Sequence, residues 1–235
     1  MIFTEQEFAR YTPLNGMVVI EIDHLIAEKV YFKKTGVGLS VITSGDHSVA
    51  DQAVRYGTVV KVPHNPVPRA MGYPFTSPIE IKEGDTVYWS RFAISRSLND
   101  QSSGGRKDIT IEVNGKLYLT ILYSELLLCV RDGNMMGLND YIIARTIPDT
   151  PETFLIVPEM AKKEFKQNEY IAVAVPTWGA KYIIDGFTQH VVEVGDHILT
   201  TKNAEMLIED KYHPTLPEPY VAFQSRMVCA VLHEA

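Results

Sequence analysis

The sequence predicts an all-β protein built as two tandem small β-barrels with mobile loops. Three observations carry that prediction: many short apolar runs closed by turn residues, almost no sustained helical period, and one layout of strands and turns that occurs twice. Residues 1–12 read as a polar lead-in with a few aromatics. The first strand is Met17-Val18-Val19-Ile20-Glu21-Ile22, introduced by Pro13-Leu14-Asn15-Gly16. Residues 33–51 are rich in Gly, Ser, Thr and His, a composition that predicts a mobile loop, with Leu39-Ser40-Val41-Ile42 as an apolar island inside it. A second strand, residues 58–62, leads into a proline-rich excursion over residues 63–78. Then come Ile79-Glu80-Ile81-Lys82, the turn Glu83-Gly84-Asp85 and Thr86-Val87-Tyr88-Trp89, which together read as a hairpin. The half closes with residues 109–113, the Asn114-Gly115 turn, residues 116–122, and the apolar run Leu126-Leu127-Leu128-Cys129-Val130.

After Arg131-Asp132-Gly133-Asn134 the pattern restarts. Leu138-Asn139-Asp140-Tyr141-Ile142-Ile143 echoes Leu14-Asn15-Gly16-Met17-Val18-Val19. Tyr170-Ile171-Ala172-Val173 echoes Val59-Val60-Lys61-Val62. Val192-Glu193-Val194-Gly195-Asp196-His197-Ile198 echoes residues 81–87, and Met227-Val228-Cys229-Ala230 echoes Leu127-Leu128-Cys129-Val130. Four echoes in one order point to an internal duplication of a unit of about 100 residues. The expected domains are residues 1–134, with longer insertions, and 135–235. One helical segment, residues 160–166, is too short to stand without tertiary support.

At 235 residues the chain can bury one large or two modest cores, and 46% hydrophobic with 22% charged residues is ordinary for a globular protein. A net charge of −7 with no basic face argues against a nucleic-acid or anionic-membrane partner. No apolar run approaches bilayer length, and the first residues lack the cationic start and apolar core of a secretory signal. Cys129 and Cys229 both sit in apolar strand-like runs and read as small buried hydrophobes in a reducing compartment, so a cytoplasmic protein is expected. The seven histidines lack metal-ligand spacing, no nucleophile elbow or nucleotide fingerprint occurs, and the acidic residues are dispersed. No catalytic residue, metal or cofactor is expected: the chain reads as a binding protein, not an enzyme.

The most distinctive stretch is residues 150–175. Leu155-Ile156-Val157 follows Phe154 and is fenced by Pro151 and Pro158; a basic polar tract and an alternating strand come next. Taken alone, such a triplet reads as the end of a buried strand. The repeat sets it between two strands instead, in a loop.

Each half resembles the GroES family of ring-forming co-chaperonins over nearly its whole length. Pro13-Leu14, Glu83-Gly84-Asp85-Thr86-Val87 and Leu126-Leu127-Leu128-Cys129-Val130 take the family's places in the first half. Val194-Gly195-Asp196-His197-Ile198 and Met227-Val228-Cys229-Ala230-Val231 take them in the second. The family's mobile loop carries Gly-Ile-Val-Leu-Pro, then Ala-Lys-Glu-Lys and a return strand. Leu155-Ile156-Val157-Pro158, Ala161-Lys162-Lys163-Glu164 and residues 170–175 follow that order, with Phe154 replacing the leading glycine. Gly38-Leu39-Ser40-Val41 stands at the equivalent place in the first half, with Ser40 where an aliphatic is expected. The tandem layout is similar to the double co-chaperonins of chloroplasts. The resemblance implies a homo-oligomeric ring that caps a GroEL-type chaperonin and assists ATP-dependent folding. Leu155, Ile156 and Val157, and more weakly Leu39 and Val41, would be the chaperonin-binding hooks. The same small barrel occurs in zinc-dependent alcohol dehydrogenases, but their Cys and His ligands and their Rossmann half are absent here. The competing expectation is a structural or assembly protein, viral ones included, that keeps tandem barrels of this fold without binding a chaperonin.

Overall fold

The computed structural model describes residues 2–14, 16–22, 56–64, 79–89, 110–148, 165–176, 183–184, 187–188, 192–201, 206–208, 216 and 219–232, most of them in β-strands. The chain divides into two compact units, Met1–Gly133 and Asn134–Ala235.

The first unit opens with β1 (Ile2–Phe3) and α1 (Glu5–Arg10). The expected polar lead-in is therefore a short strand and a capped helix. Thr4 is the N-cap: its hydroxyl accepts from the Glu7 amide while the Glu7 carboxylate accepts from the Thr4 amide at 2.8 Å, a capping box already spelled by Thr-x-x-Glu. Those bonds to Thr4 hold the Glu7 carboxyl below its usual range. The helix lays Phe8 on Tyr118, ring centroids 4.6 Å apart, over a cluster with Val19, Ile111 and Val113.

The strands that follow are β2 (Met17–Ile22), β3 (Tyr56–Lys61), β4 (Thr86–Trp89), β5 (Thr110–Val113), β6 (Lys116–Leu122) and β7 (Leu126–Arg131). Their order across the sheet is β5–β6–β2–β3–β4–β7, with β1 added in parallel beside β5 and every other pairing antiparallel. Alternation is weak because this unit buries both strand faces: Val18, Val19, Ile20, Leu119, Leu126, Leu128 and Cys129 are all sealed from solvent. Asn114 and Gly115 both take positive φ, which gives the two-residue turn between β5 and β6 that Asn-Gly predicts.

The second unit contains β8 (Asn134–Gly137), β9 (Tyr141–Pro148), β10 (Phe165–Ala174), β11 (Ile183–Ile184), β12 (Phe187–Thr188), β13 (His197–Thr200), β14 (Met206–Ile208), β15 (Tyr220–Gln224) and β16 (Val228–Leu232). Strands β11 and β12 pair only with each other among the described residues. Strands β9, β10, β13, β14, β15 and β16 follow the order β14–β15–β9–β10–β13–β16, which matches β5–β6–β2–β3–β4–β7 strand for strand. Ile142, Ala144, Tyr170, Ala172, Ile198 and Phe223 form its core.

The repetition reaches single hydrogen bonds. The Met17 amide donates to the Leu14 carbonyl and the Tyr123 amide to that of Gly16; the Tyr141 amide donates to Leu138 and the Ser225 amide to Asp140. Both units kink at matching places. A bulge falls between Val19 and Ile20 against β3, and again between Ala172 and Ala174 against β9. A second falls between Tyr88 and Trp89 against β7, and again between Leu199 and Thr200 against β16. Bulges are local departures from pairing that bend a strand, so two shared ones mark a common architecture more sharply than strand order does.

These bonds correct two sequence alignments. The residue equivalent to Val59 is Ala172, so Tyr170 is two positions off; the residue equivalent to Cys129 is Val231, not Cys229. Strand periodicity repeats every two residues, which is why a two-residue slip keeps the apolar face and escapes notice. Residues 79–82 form no strand. The Lys82 amide bonds to the Asp85 carboxylate and the Glu80 carbonyl accepts from Arg131, so these groups do not enter a ladder. Of the expected helical segment, Phe165 and Lys166 begin β10 instead. Cys129 is buried as expected, but Cys229 is exposed. Among the described residues, no pairing joins the outermost strands of either order into a closed barrel.

Gly57 lies where β3 crosses β2. A Cβ there would sit 2.5 Å from the Glu21 carbonyl oxygen and 2.6 Å from Ile20 Cγ2. Gly57→Ala is expected to lower stability by about 1–3 kcal/mol, read as a fall in the urea midpoint with an unchanged slope.

Candidate functional site

The residues singled out in the sequence, Leu39, Val41, Leu155, Ile156 and Val157, lie outside the described residues. What the structure supplies is the frame on either side of them. Leu39 and Val41 fall in the connection from β2 to β3, and Leu155, Ile156 and Val157 in the connection from β9 to β10. Because β2 corresponds to β9 and β3 to β10, the two segments occupy one and the same connection of the repeat.

The frame is set by the Gly-Asp turn that joins the strand after this connection to the next one. In the first unit the Val59 amide donates to the Asp85 carbonyl and the Gly84 amide to the Val59 carbonyl, both at 2.8 Å. In the second unit the Ala172 amide donates to Asp196 at 2.9 Å and the Gly195 amide to Ala172 at 2.8 Å. Gly84 and Gly195 have φ of 91° and 99°, a region that a side chain would strain. In each turn the aspartate carboxylate also accepts the amide three residues back, Lys82 at 2.7 Å and Glu193 at 2.8 Å.

The first turn is locked further. Arg131 Nε donates to Asp85 Oδ1 at 2.8 Å and Nη2 to Oδ2 at 2.7 Å, while Nη2 also reaches the Glu80 carbonyl. Asp85 is buried and Arg131 is one-third exposed. Burial pushes the Asp85 carboxyl up, but the Arg131 hydrogen bonds and charge, together with the Lys82 amide, outweigh it and hold the group below its usual range. Cys129, alongside, is pushed up to about 12 by burial and by the Asp85 charge, which keeps it an unreactive thiol. Tyr123, fully buried, accepts the Glu80 amide at its hydroxyl; burial raises its own pKa strongly. The cluster braces a turn.

The second unit differs at three points. Asp196 is only partly buried. Val194, at the turn tip, is 63% exposed where the first unit has Glu83. Strand β16 presents Cys229, Ala230 and Leu232 to solvent, whereas the equivalent β7 residues, Leu127, Leu128 and Val130, are buried or half-buried. Among the described residues β16 pairs with β13 alone. An exposed edge of uncharged residues is what natural sheets ordinarily avoid with charges, prolines or bulges.

Among the described residues no group of His, Cys, Asp and Glu is arranged to hold a metal ion, and no helix is long and apolar enough to cross a membrane. Sequence reading passed over Asp140, Ser225 and the Asp85–Arg131 pair. For the last, the signal was available in part: Asp85 sits in a recognised turn, but its partner is 46 residues away. No protein-family model matches the chain, and no curated protein matches it in sequence.

Arg131→Met is expected to cost about 1–3 kcal/mol at pH 7 by leaving the buried Asp85 carboxylate without its cation. A depressed aspartate stabilises the fold above its unfolded pKa, near 4, and loses that contribution as pH falls through its folded value. Urea midpoints of the two proteins should therefore converge as pH falls through the depressed folded value of Asp85, where the wild-type carboxyl protonates and its bond to Arg131 loses its charge.

Proposed function

We propose that the chain is a tandem GroES-like co-chaperonin that caps a GroEL-type chaperonin through apolar hooks on two loops. The observation that carries this reading is the shared address of the two hook segments. Leu39 and Val41 in one unit, and Leu155, Ile156 and Val157 in the other, fall in the same connection of a repeated strand order. A binding device kept on each copy of a duplicated scaffold accounts for apolar residues at that point. A purely structural tandem protein, the competing reading, has no need of them.

The energetics favour a weak, reversible contact. Burying each Leu, Ile or Val in an apolar groove contributes roughly 1.5–3 kcal/mol, against about 2–5 kcal/mol for ordering a loop on docking. One hook alone therefore binds poorly, and a cap that must leave when the chaperonin changes nucleotide state benefits from that. Several hooks on one assembly raise avidity by about 10²–10⁴ without new contacts. The reading thus requires a homo-oligomer. The uncharged edge of β16 is suited to receive a strand from a second copy, which supports that requirement. No enzymatic step, metal or cofactor belongs to this function, and a cytoplasmic setting fits it.

Native mass of the purified protein, alone and with a GroEL-type chaperonin plus nucleotide, tests the proposal: an oligomer that joins the chaperonin is expected. A monomer that never binds would instead favour the structural reading. Replacing Leu155, Ile156 and Val157 together by Ser should abolish inhibition of the chaperonin ATPase and leave the far-UV spectrum unchanged. If the same change unfolds the protein, the triplet is core and the hook idea fails. Leu39→Ser with Val41→Ser should weaken binding less; an equal or larger loss would reverse the ranking of the two loops.

A further inference from the structure

The two units part company at one buried turn position. In the first, the residue before β2 is Gly16, φ 71°, whose carbonyl accepts the Tyr123 amide at 2.8 Å. In the second, the equivalent residue is Asp140, φ 72°, whose carbonyl accepts the Ser225 amide at 3.0 Å. Asp140 adds a carboxyl to that frame, and it is sealed in: the residue is 5% exposed. Its Oδ1 accepts a short hydrogen bond from the Ser225 hydroxyl. Ser225 begins the 3-10 turn Ser225–Met227, which delivers the chain into β16. Two bonds between Asp140 and Ser225 thus tie the start of β9 to the turn, just after β15, that leads into the exposed edge strand.

We propose that the Asp140–Ser225 pair is a pH-sensitive latch on β16, closed when the Asp140 carboxyl is protonated and loosened when it ionises. A neutral carboxyl is well served in this site. It accepts the Ser225 hydroxyl and leaves no charge away from water. An ionised one needs two or three donors to offset its lost hydration. Ser225 supplies its hydroxyl and, more weakly, its amide; both favour the ionised form, but burial outweighs them. The charged group in electrostatic reach among the described residues is Arg226, an exposed residue that acts through space and does not pair with it. Burial therefore prevails over Ser225 and Arg226 and raises the carboxyl to about 6. An aspartate raised above its unfolded value, near 4, gives stability that is complete below that value and is lost as pH rises through the folded one. The effect is on the order of a hundredfold in the opening equilibrium. The structural consequence is local: ionisation favours drawing Asp140 away from Ser225 into water, which releases the turn that holds β16.

Amide hydrogen exchange over residues 225–232 in the whole chain, followed from about pH 3.5 to 7.5 after correction for intrinsic exchange, tests the latch. Wild type should lose protection by tens of fold between about pH 4 and pH 6 and little more above that. Histidines titrate within the measured range, so the comparison with variants decides the matter. Asp140→Asn keeps the left-handed turn and an acceptor for Ser225 without a charge; it should hold the acid-form protection at every pH. Asp140→Gly, the residue used in the first unit, removes the carboxyl with no backbone strain and should also abolish the step. Ser225→Ala should weaken protection throughout yet keep a step, because the carboxyl stays buried. A wild type with no step between about pH 4 and pH 6, or Asp140→Asn and Asp140→Gly proteins that keep the wild-type step, would overturn the proposal.

Discussion

Both units depend on one reciprocal exchange of backbone hydrogen bonds. A residue in the second ladder strand, Val59 or Ala172, gives its amide to the aspartate of a Gly-Asp turn and receives the amide of the glycine. The exchange binds the strand to a turn that lies just before its next neighbour, β4 or β13, and so sets the register between them. The other pairings extend outward from that junction, and the two shared bulges keep each strand bent in the same sense. A turn that needs φ near +90° at one residue, and a carboxylate to cap it at the next, explains why Gly-Asp stands at both places.

The copies have diverged in how firmly that junction is held. In the first unit Asp85 is buried and gripped by Arg131, the strand that carries Arg131 is buried along most of its length, and a thiol lies inert against the pair. In the second unit the corresponding aspartate is half-buried, the turn tip carries an exposed valine, and the last strand is an uncovered apolar edge. The added carboxyl of Asp140 bonds to Ser225, which opens the turn leading into that strand. Among the described residues, these features bear on β16, one of the two edge strands of that order. A strand of this kind is a liability on a monomer and an asset on a subunit.

How much of this was legible in the residues varies with the kind of interaction. Turn chemistry read well, because Asn114-Gly115, Gly84-Asp85 and Gly195-Asp196 each act through their own backbone. The capping box at Thr4 and Glu7 was equally local and was present in the sequence, though the stretch was read as a lead-in. Strand echoes were found in the right order but two positions out of register at Tyr170 and Cys229. Alternation has a period of two and cannot detect a slip of two. Residues 79–82 look like a strand by composition; only the placement of Asp85 and Arg131 shows where Lys82 and Glu80 send their hydrogen bonds.

By itself, then, the sequence determined the all-β character, the duplication, the positions of the tight turns and the apolar segments that carry the functional proposal. Each of these follows from near neighbours along the chain. The tertiary structure alone decided the exact partner of each strand, the contrast between a buried Cys129 and an exposed Cys229, the Asp85–Arg131 brace and the burial of Asp140. Those depend on groups 46 and 85 residues apart meeting at hydrogen-bonding distance. Burial and charge compensation are properties of that meeting, and no single stretch of the chain contains them.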